Sequence, residues 1–128
     1  MDMKMEIIFQ QFVSNPLLIP LLILTVLDFV VGLLSSLITK TTSSKIGMRG
    51  ILRKILLYLS LVAVSVVAFA FTNFSYIFDV FIVFYIFNEV ISILENLTEC
   101  GLELPAGMFK TLKDERDKLN EQEHGQDQ

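Results

Sequence analysis

The sequence predicts an all-α membrane protein: about three transmembrane helices, N-terminus outside and C-terminus inside, followed by a short amphipathic helix on the cytoplasmic side. Three observations predict it. Hydrophobic residues fill 53% of the 128 positions against 19% charged, with a mean hydropathy of +0.62, more apolar surface than one small soluble domain can bury. That apolar content is gathered into three runs, each near the roughly 20 residues that cross a bilayer as a helix. Between the first two runs lie five basic residues and no acid, the pattern of a cytoplasmic loop.

The first run, residues 17–38, carries Asp28 as its sole charge. It opens with Ser14-Asn15-Pro16, a capping residue ahead of a proline suited to the first helical turn, and Pro20 offers a second place to start or kink. The preceding residues mix Asp2 and Glu6 with Lys4, and no small-x-small cleavage site follows, so the run reads as a retained span rather than a signal peptide. The second run, 55–72, has no charge, and the short Asn73-Phe74-Ser75 link makes it a tight hairpin with the third run, 76–98. Glycine at 101 suits the left-handed turn that stops a helix, and Pro105 blocks continuation. Residues 1–104 thus form a membrane domain and 105–128 a tail. In the tail, Met108, Phe109, Leu112 and Leu119 share one face of a short helix, and the chain from about Glu121 onward has a disordered composition.

Lys40, Lys45, Arg49, Arg53 and Lys54 set the orientation, with attraction to anionic lipid as their further effect. Three crossings then put the tail inside, where Lys110, Lys113, Arg116 and Lys118 follow the same rule. A net charge of −4, dominated by acids in the tail, gives no reason to expect nucleic acid as a partner.

The polar residues inside the runs carry the functional information. An aspartate at mid-span costs about 2.5–3.5 kcal/mol on insertion scales, against about 0.3–0.6 returned by each large aliphatic or Phe. At 100° per residue Thr25, Asp28, Gly32, Ser35 and Ser36 fall on one narrow stripe, and Gly32 with Ser36 forms a small-xxx-small pair that admits a neighbouring helix. Tyr85, Asn88, Glu89, Ser92, Glu95 and Asn96 make a second stripe on the third run, extended by Glu99. A packing seam accounts for Gly32 and Ser36. It does not account for Asp28, because a buried carboxylate needs a donor, water or a proton. No Lys or Arg falls inside any run as drawn, so Asp28 and Glu89 have no basic neighbour; Arg53 and Lys54 come level instead with Glu95 and Asn96 across the hairpin. One small chain encloses little water. Lateral association of copies, stripes inward, would supply both partner and wet lumen, making the two stripes the candidate oligomer- and lumen-facing residues.

No nucleophile elbow, phosphate-binding glycine loop, metal-binding HExxH or paired-cysteine pattern occurs, and one Cys and one His offer no zinc set. No catalytic residue, metal or cofactor is expected, and no enzyme.

Three stretches in order, LDFVVGLLSS (27–36), SSKIGMRGILRKI (43–55) and NEVISILENLTECGLELP (88–105), resemble the phage holin family that also contains clostridial toxin-secretion holins. The matching positions are Asp28, Gly32, Ser44, Gly47, Gly50, Lys54, Glu89, Ser92, Asn96, Gly101 and Pro105; the link after the second run is shorter than the family pattern. The resemblance implies a protein that oligomerises in the bacterial inner membrane and opens lesions through which an endolysin, or in some relatives a toxin, escapes. A non-pore partner, such as an antiholin-like regulator or a small scaffold subunit, is the alternative. Met1, Met3 and Met5 permit alternative starts.

Overall fold

The computed structural model describes residues 3–40, 44–71 and 75–125, and within these the side chains of 44–47, 75 and 122–125 lie outside the description. Five helices follow one another, with no strand among the described residues: α1 (Met3–Ser14), α2 (Leu18–Thr39), α3 (Ser44–Ala70), α4 (Ser75–Glu99) and α5 (Met108–Gly125). Three of them are long and apolar enough to cross a membrane, over Leu18–Thr39, Met48–Ala70 and Tyr76–Glu99. The 22 residues of α2 correspond to about 33 Å of helix, enough for a hydrocarbon core of about 30 Å.

Asn15 and Pro16 separate α1 from α2. The Asn15 side chain accepts the Leu17 N–H at 2.9 Å, its carbonyl accepts the Leu18 N–H at 3.2 Å, and its amide donates to Asp79 of α4 at 3.0 Å. One residue therefore ends α1, starts α2 and ties that corner to a third helix. Pro20 sits in the first turn of α2, where a missing N–H costs nothing. At the far end Lys40 takes a left-handed conformation (φ 56°) and returns its N–H to Ser36. The turn 41–43 and the link 72–74 lie outside the described residues, and with them the expected form of the hairpin turn.

Helix α4 ends as the glycine at 101 predicts. Gly101 has φ +95°, its N–H bonds Thr98 O at 3.0 Å and the Leu102 N–H bonds Leu97 O at 3.1 Å, the two bonds of a Schellman cap. Gly107, also at positive φ, lets the chain turn back, and α5 packs along α4.

Three differences from the sequence reading bear on the site. Helix α3 starts at Ser44, eleven residues before the expected second span, so Lys45, Arg49, Arg53 and Lys54 are helical residues rather than loop residues. Apart from Gly47 and Gly50, residues compatible with a helix and without an acid or proline fill 44–54, and the break belongs where the left-handed Lys40 stops α2. Helix α1 was not foreseen, because its 12 residues are too few to span a bilayer and its apolar residues do not keep to one face: Ile8 and Phe12 turn inward while Ile7, Phe9 and Val13 stay exposed. Helix α5 continues to Gly125, into the stretch from about Glu121 whose composition reads as disordered.

The dry core lies toward one end of the bundle, where Leu21, Leu57, Leu61, Ala68, Phe78 and Ile82 pack together. Phe78 is its centre, with the Phe69 ring at 5.0 Å and the Phe12 ring of α1 at 5.7 Å. Only 17%, 22% and 22% of the three apolar windows are buried in the bundle. Much of the remainder is half-buried, and an apolar set including Ile19, Val26, Leu34 and Leu37 faces outward, a surface suited to lipid and not to water.

Candidate functional site

Beyond the dry core, each span contributes one charged side chain to a single point. The Lys54 ammonium of α3 lies 2.7 Å from Asp28 Oδ2 of α2 and 3.1 Å from Glu89 Oε2 of α4. Their side chains are 19%, 11% and 10% exposed, so the three charges are largely removed from solvent and depend on one another. Two carboxylates share one ammonium. Asp28 Oδ1 is buried without a hydrogen-bond partner among the described residues.

Register explains the meeting. Asp28 lies 11 residues before the end of α2, Lys54 10 residues after the start of α3, and Glu89 10 residues before the end of α4. Antiparallel neighbours therefore bring all three to one level, about 15 Å in from the helix ends. Three expectations are corrected here. Lys54 stands inside a span, because α3 begins so early, and Glu89 does have a basic neighbour. Lys54 does not pair with Glu95; that carboxylate faces Lys113 of α5 at 3.6 Å.

One turn toward the dry core, Thr25 is buried and gives its hydroxyl hydrogen to Leu21 O at 2.8 Å. The Tyr58 hydroxyl at 2.7 Å must then be the donor to Thr25 Oγ1, which fixes α3 against α2 just above the ion cluster.

Away from the core the helices part around a cavity of about 710 Å³. Asp28, Gly32 and Leu33 of α2, Arg49, Arg53 and Lys54 of α3, and Tyr85, Asn88, Glu89, Ser92 and Asn96 of α4 line it. The cavity is a half-open cleft whose wall mixes these polar groups with the apolar side chains of Phe29, Leu33 and Leu57. Gly32 faces α4 of its own chain, where an added Cβ would meet Asn96 Nδ2 at 3.6 Å. Ser35 is buried, and Ser36 returns its hydroxyl to Leu33 O at 2.8 Å. The predicted stripes of α2 and α4 meet each other inside one protomer.

Helix α5 covers part of what remains. Arg116 Nη1 donates to Asn88 Oδ1 at 2.9 Å, and Lys113 holds Glu95 while lying 5.8 Å over the Phe109 ring. Lys113 and Arg116 entered the sequence reading only as topology-setting charges and Asn15 only as part of a helix start; Tyr58 and the pairing of Asn15 with Asp79 were not foreseen. Asp79 and Asn15 are 64 residues apart, and only the folded register connects them. Lys40 is exposed at the α2 terminus; the Lys45 side chain lies outside the described residues.

With this geometry in place, comparison with known proteins becomes decisive. The description "Bacteriophage holin family" matches residues 7–117, from α1 through most of α5. The chain belongs to the bacteriophage holin family. Among similar proteins, an uncharacterized 14.9 kDa protein from the nagH 3′ region of Clostridium perfringens is 36% identical over 97 residues, covering 75% of this chain and 74% of the relative. A second uncharacterized protein, from C. perfringens strain 13, is 34% identical over 104 residues, 80% and 77% of the two chains. An uncharacterized Halalkalibacterium halodurans protein is 36% identical over 91 residues, 66% and 67%. No solved structure matches. Holins are membrane lysis effectors, not an enzyme family, and the holin described here is a multi-pass protein of the cytoplasmic membrane.

Proposed function

We propose that this holin accumulates in the bacterial cytoplasmic membrane as a closed protomer, oligomerises, and forms lesions through which an endolysin, or a toxin in a secretion setting, leaves the cell. The observation that carries the reading is the Lys54–Asp28–Glu89 cluster. Charged groups at this depth are expensive, and such residues mark pathways or switches. Here each span supplies one, so the cluster holds the polar stripes of α2 and α4 together within one chain. Separating the spans releases two carboxylates and an ammonium, and partners on other copies, or water in a shared lumen, are the means to satisfy them. The basic residues from Lys40 to Lys54 favour an orientation with that end in the cytoplasm, N-terminus outside and tail inside.

The test is release of a leaderless endolysin from cells in which the holin is induced. Abrupt lysis at a defined time is expected, and Asp28→Asn, which leaves Lys54 with one carboxylate, is expected to shift that time at equal expression. Cells that keep the enzyme while the protein is abundant in their membrane would overturn the reading. A cluster closed within one chain also suits a non-pore partner of the antiholin kind; crosslinking that captures a heteromeric partner and no ladder of copies favours that alternative.

A further inference from the structure

We propose that the cavity beside the ion cluster is a binding site for the phosphodiester of one anionic phospholipid, held by Arg49 and Arg53 of α3 against the amide- and hydroxyl-bearing wall of α4. The inference does not depend on lesion formation. Arg49 and Arg53 stand four residues apart, so they lie on one face of α3, and both line the cavity. Among the described residues neither guanidinium has an ion-pair or hydrogen-bond partner, whereas Lys54, the third cation of the wall, already holds two carboxylates. The inner end of the cavity is therefore occupied by its own acids, and the outer end presents two uncompensated positive charges with planar donor forks matched to phosphate oxygens. Opposite them, Ser92 and Asn96 supply further donors.

Depth and surroundings decide between a free anion and a lipid. Arg49 is five residues from the start of α3, about 7–8 Å along the axis, the region where a spanning helix meets headgroups. The same cavity is walled on α2 by Phe29 and Leu33, and Leu33 continues into the exposed apolar face of Leu34, Leu37 and Ile38. A phosphate seated between the arginines leaves an acyl chain room to run along α2. Basic pockets between transmembrane helices take anionic headgroups in this way.

A built site differs from diffuse attraction in one measurable respect. General attraction to an anionic surface costs about the same for every basic residue lost, about fivefold each, whereas a site depends on the residues that line it. The purified holin, in detergent with phosphatidylcholine, is titrated with phosphatidylglycerol and its adducts are counted by native mass spectrometry. One tightly held phosphatidylglycerol per protomer is expected. The double variant Arg49→Gln/Arg53→Gln is expected to lose about a hundredfold in that affinity, beyond the roughly thirtyfold that two diffusely acting charges would give, Lys40→Gln to lose less than about twofold, and Arg49→Lys/Arg53→Lys, which keeps the charge but not the planar forks, to fall between wild type and the glutamine variant. Both arginines are exposed, and unchanged helicity by circular dichroism certifies the glutamine variant. Equal binding by wild type and the glutamine variant overturns the site. So does an effect of Lys40→Gln as large, per charge removed, as that of the arginine pair. Displacement by millimolar inorganic phosphate overturns the lipid assignment in favour of a free anion. Because the readout is lipid affinity, these outcomes are separable from success or failure in the endolysin assay.

Discussion

Lys54 makes the difference between a polar seam and a clasp. Replacing it with methionine leaves Asp28 and Glu89 facing each other at low exposure with no cation, the situation in which breaking a buried pair costs about 3–5 kcal/mol. Glu89→Gln removes one of two carboxylates from a single ammonium while keeping an acceptor, and is expected to cost about 1 kcal/mol. Denaturation in micelles checks the pair: Lys54→Met should unfold well before Glu89→Gln, and equal midpoints would show that the ammonium does not hold the three spans. Asp28 and Glu89 were visible in the sequence as misfits because a carboxylate inside an apolar run contradicts its surroundings. Lys54 was not, because it follows a basic stretch and looks like the edge of a loop. Only the true start of α3 reveals it as a residue inside a span. Thr25 was legible by its place on the stripe, but its partner Tyr58, 33 residues away, was not, since a tyrosine at the edge of an apolar run is unremarkable alone.

At the scale of elements, caps were legible and docking was not. Glycine at 101 announced the end of α4, and the φ of +95° there gives a testable contrast with Gly50, which lies within α3 with open space where a Cβ would go. Gly101→Ala is expected to destabilise by about 1 kcal/mol through left-handed strain, and Gly50→Ala to stabilise by about 0.8–1 kcal/mol through helix propensity; thermal unfolding in micelles distinguishes the signs. The amphipathic pattern of α5 was also visible, yet its sequence reads as a helix lying at the membrane surface. The structure turns it back along α4 instead, with Arg116 on Asn88 and Lys113 on Glu95, over part of the stripe that would otherwise face outward. Arg116→Ala removes a charge-assisted bond of about 1.5–3 kcal/mol, whereas the exposed Lys113–Glu95 pair contributes at most about 1 kcal/mol. Hydrogen exchange in α5 should therefore rise sharply in Arg116→Ala and little in Lys113→Ala. If covering the stripe delays assembly, the Arg116 variant also lyses cells earlier.

The whole molecule is divided across its length. One end is closed by apolar packing around Phe78 and by α1, and the other holds the ion cluster, the cavity and α5. That asymmetry yields a prediction about orientation that needs no knowledge of the lesion. The three spans put Ser14 and Cys100 at opposite ends of the bundle: Ser14 precedes α2 beside the Asn15–Asp79 corner, and Cys100 follows α4 at the end where Lys40 stops α2. Cys100 is the chain's single cysteine, so labelling needs no background removal at that site. With the basic end in the cytoplasm, a membrane-impermeant maleimide added to intact spheroplasts should leave Cys100 unmodified and label it in inverted vesicles. In a Ser14→Cys/Cys100→Ser background the order should reverse, since Ser14 is exposed at the end of the bundle opposite Cys100. The reverse pattern at both positions would place the arginine-lined cavity on the outer face, and the positive charge of α3 would then owe its position to something other than topology. Labelling of Cys100 from both sides only after induction passes the lysis time would instead date the moment at which the barrier around the bundle opens.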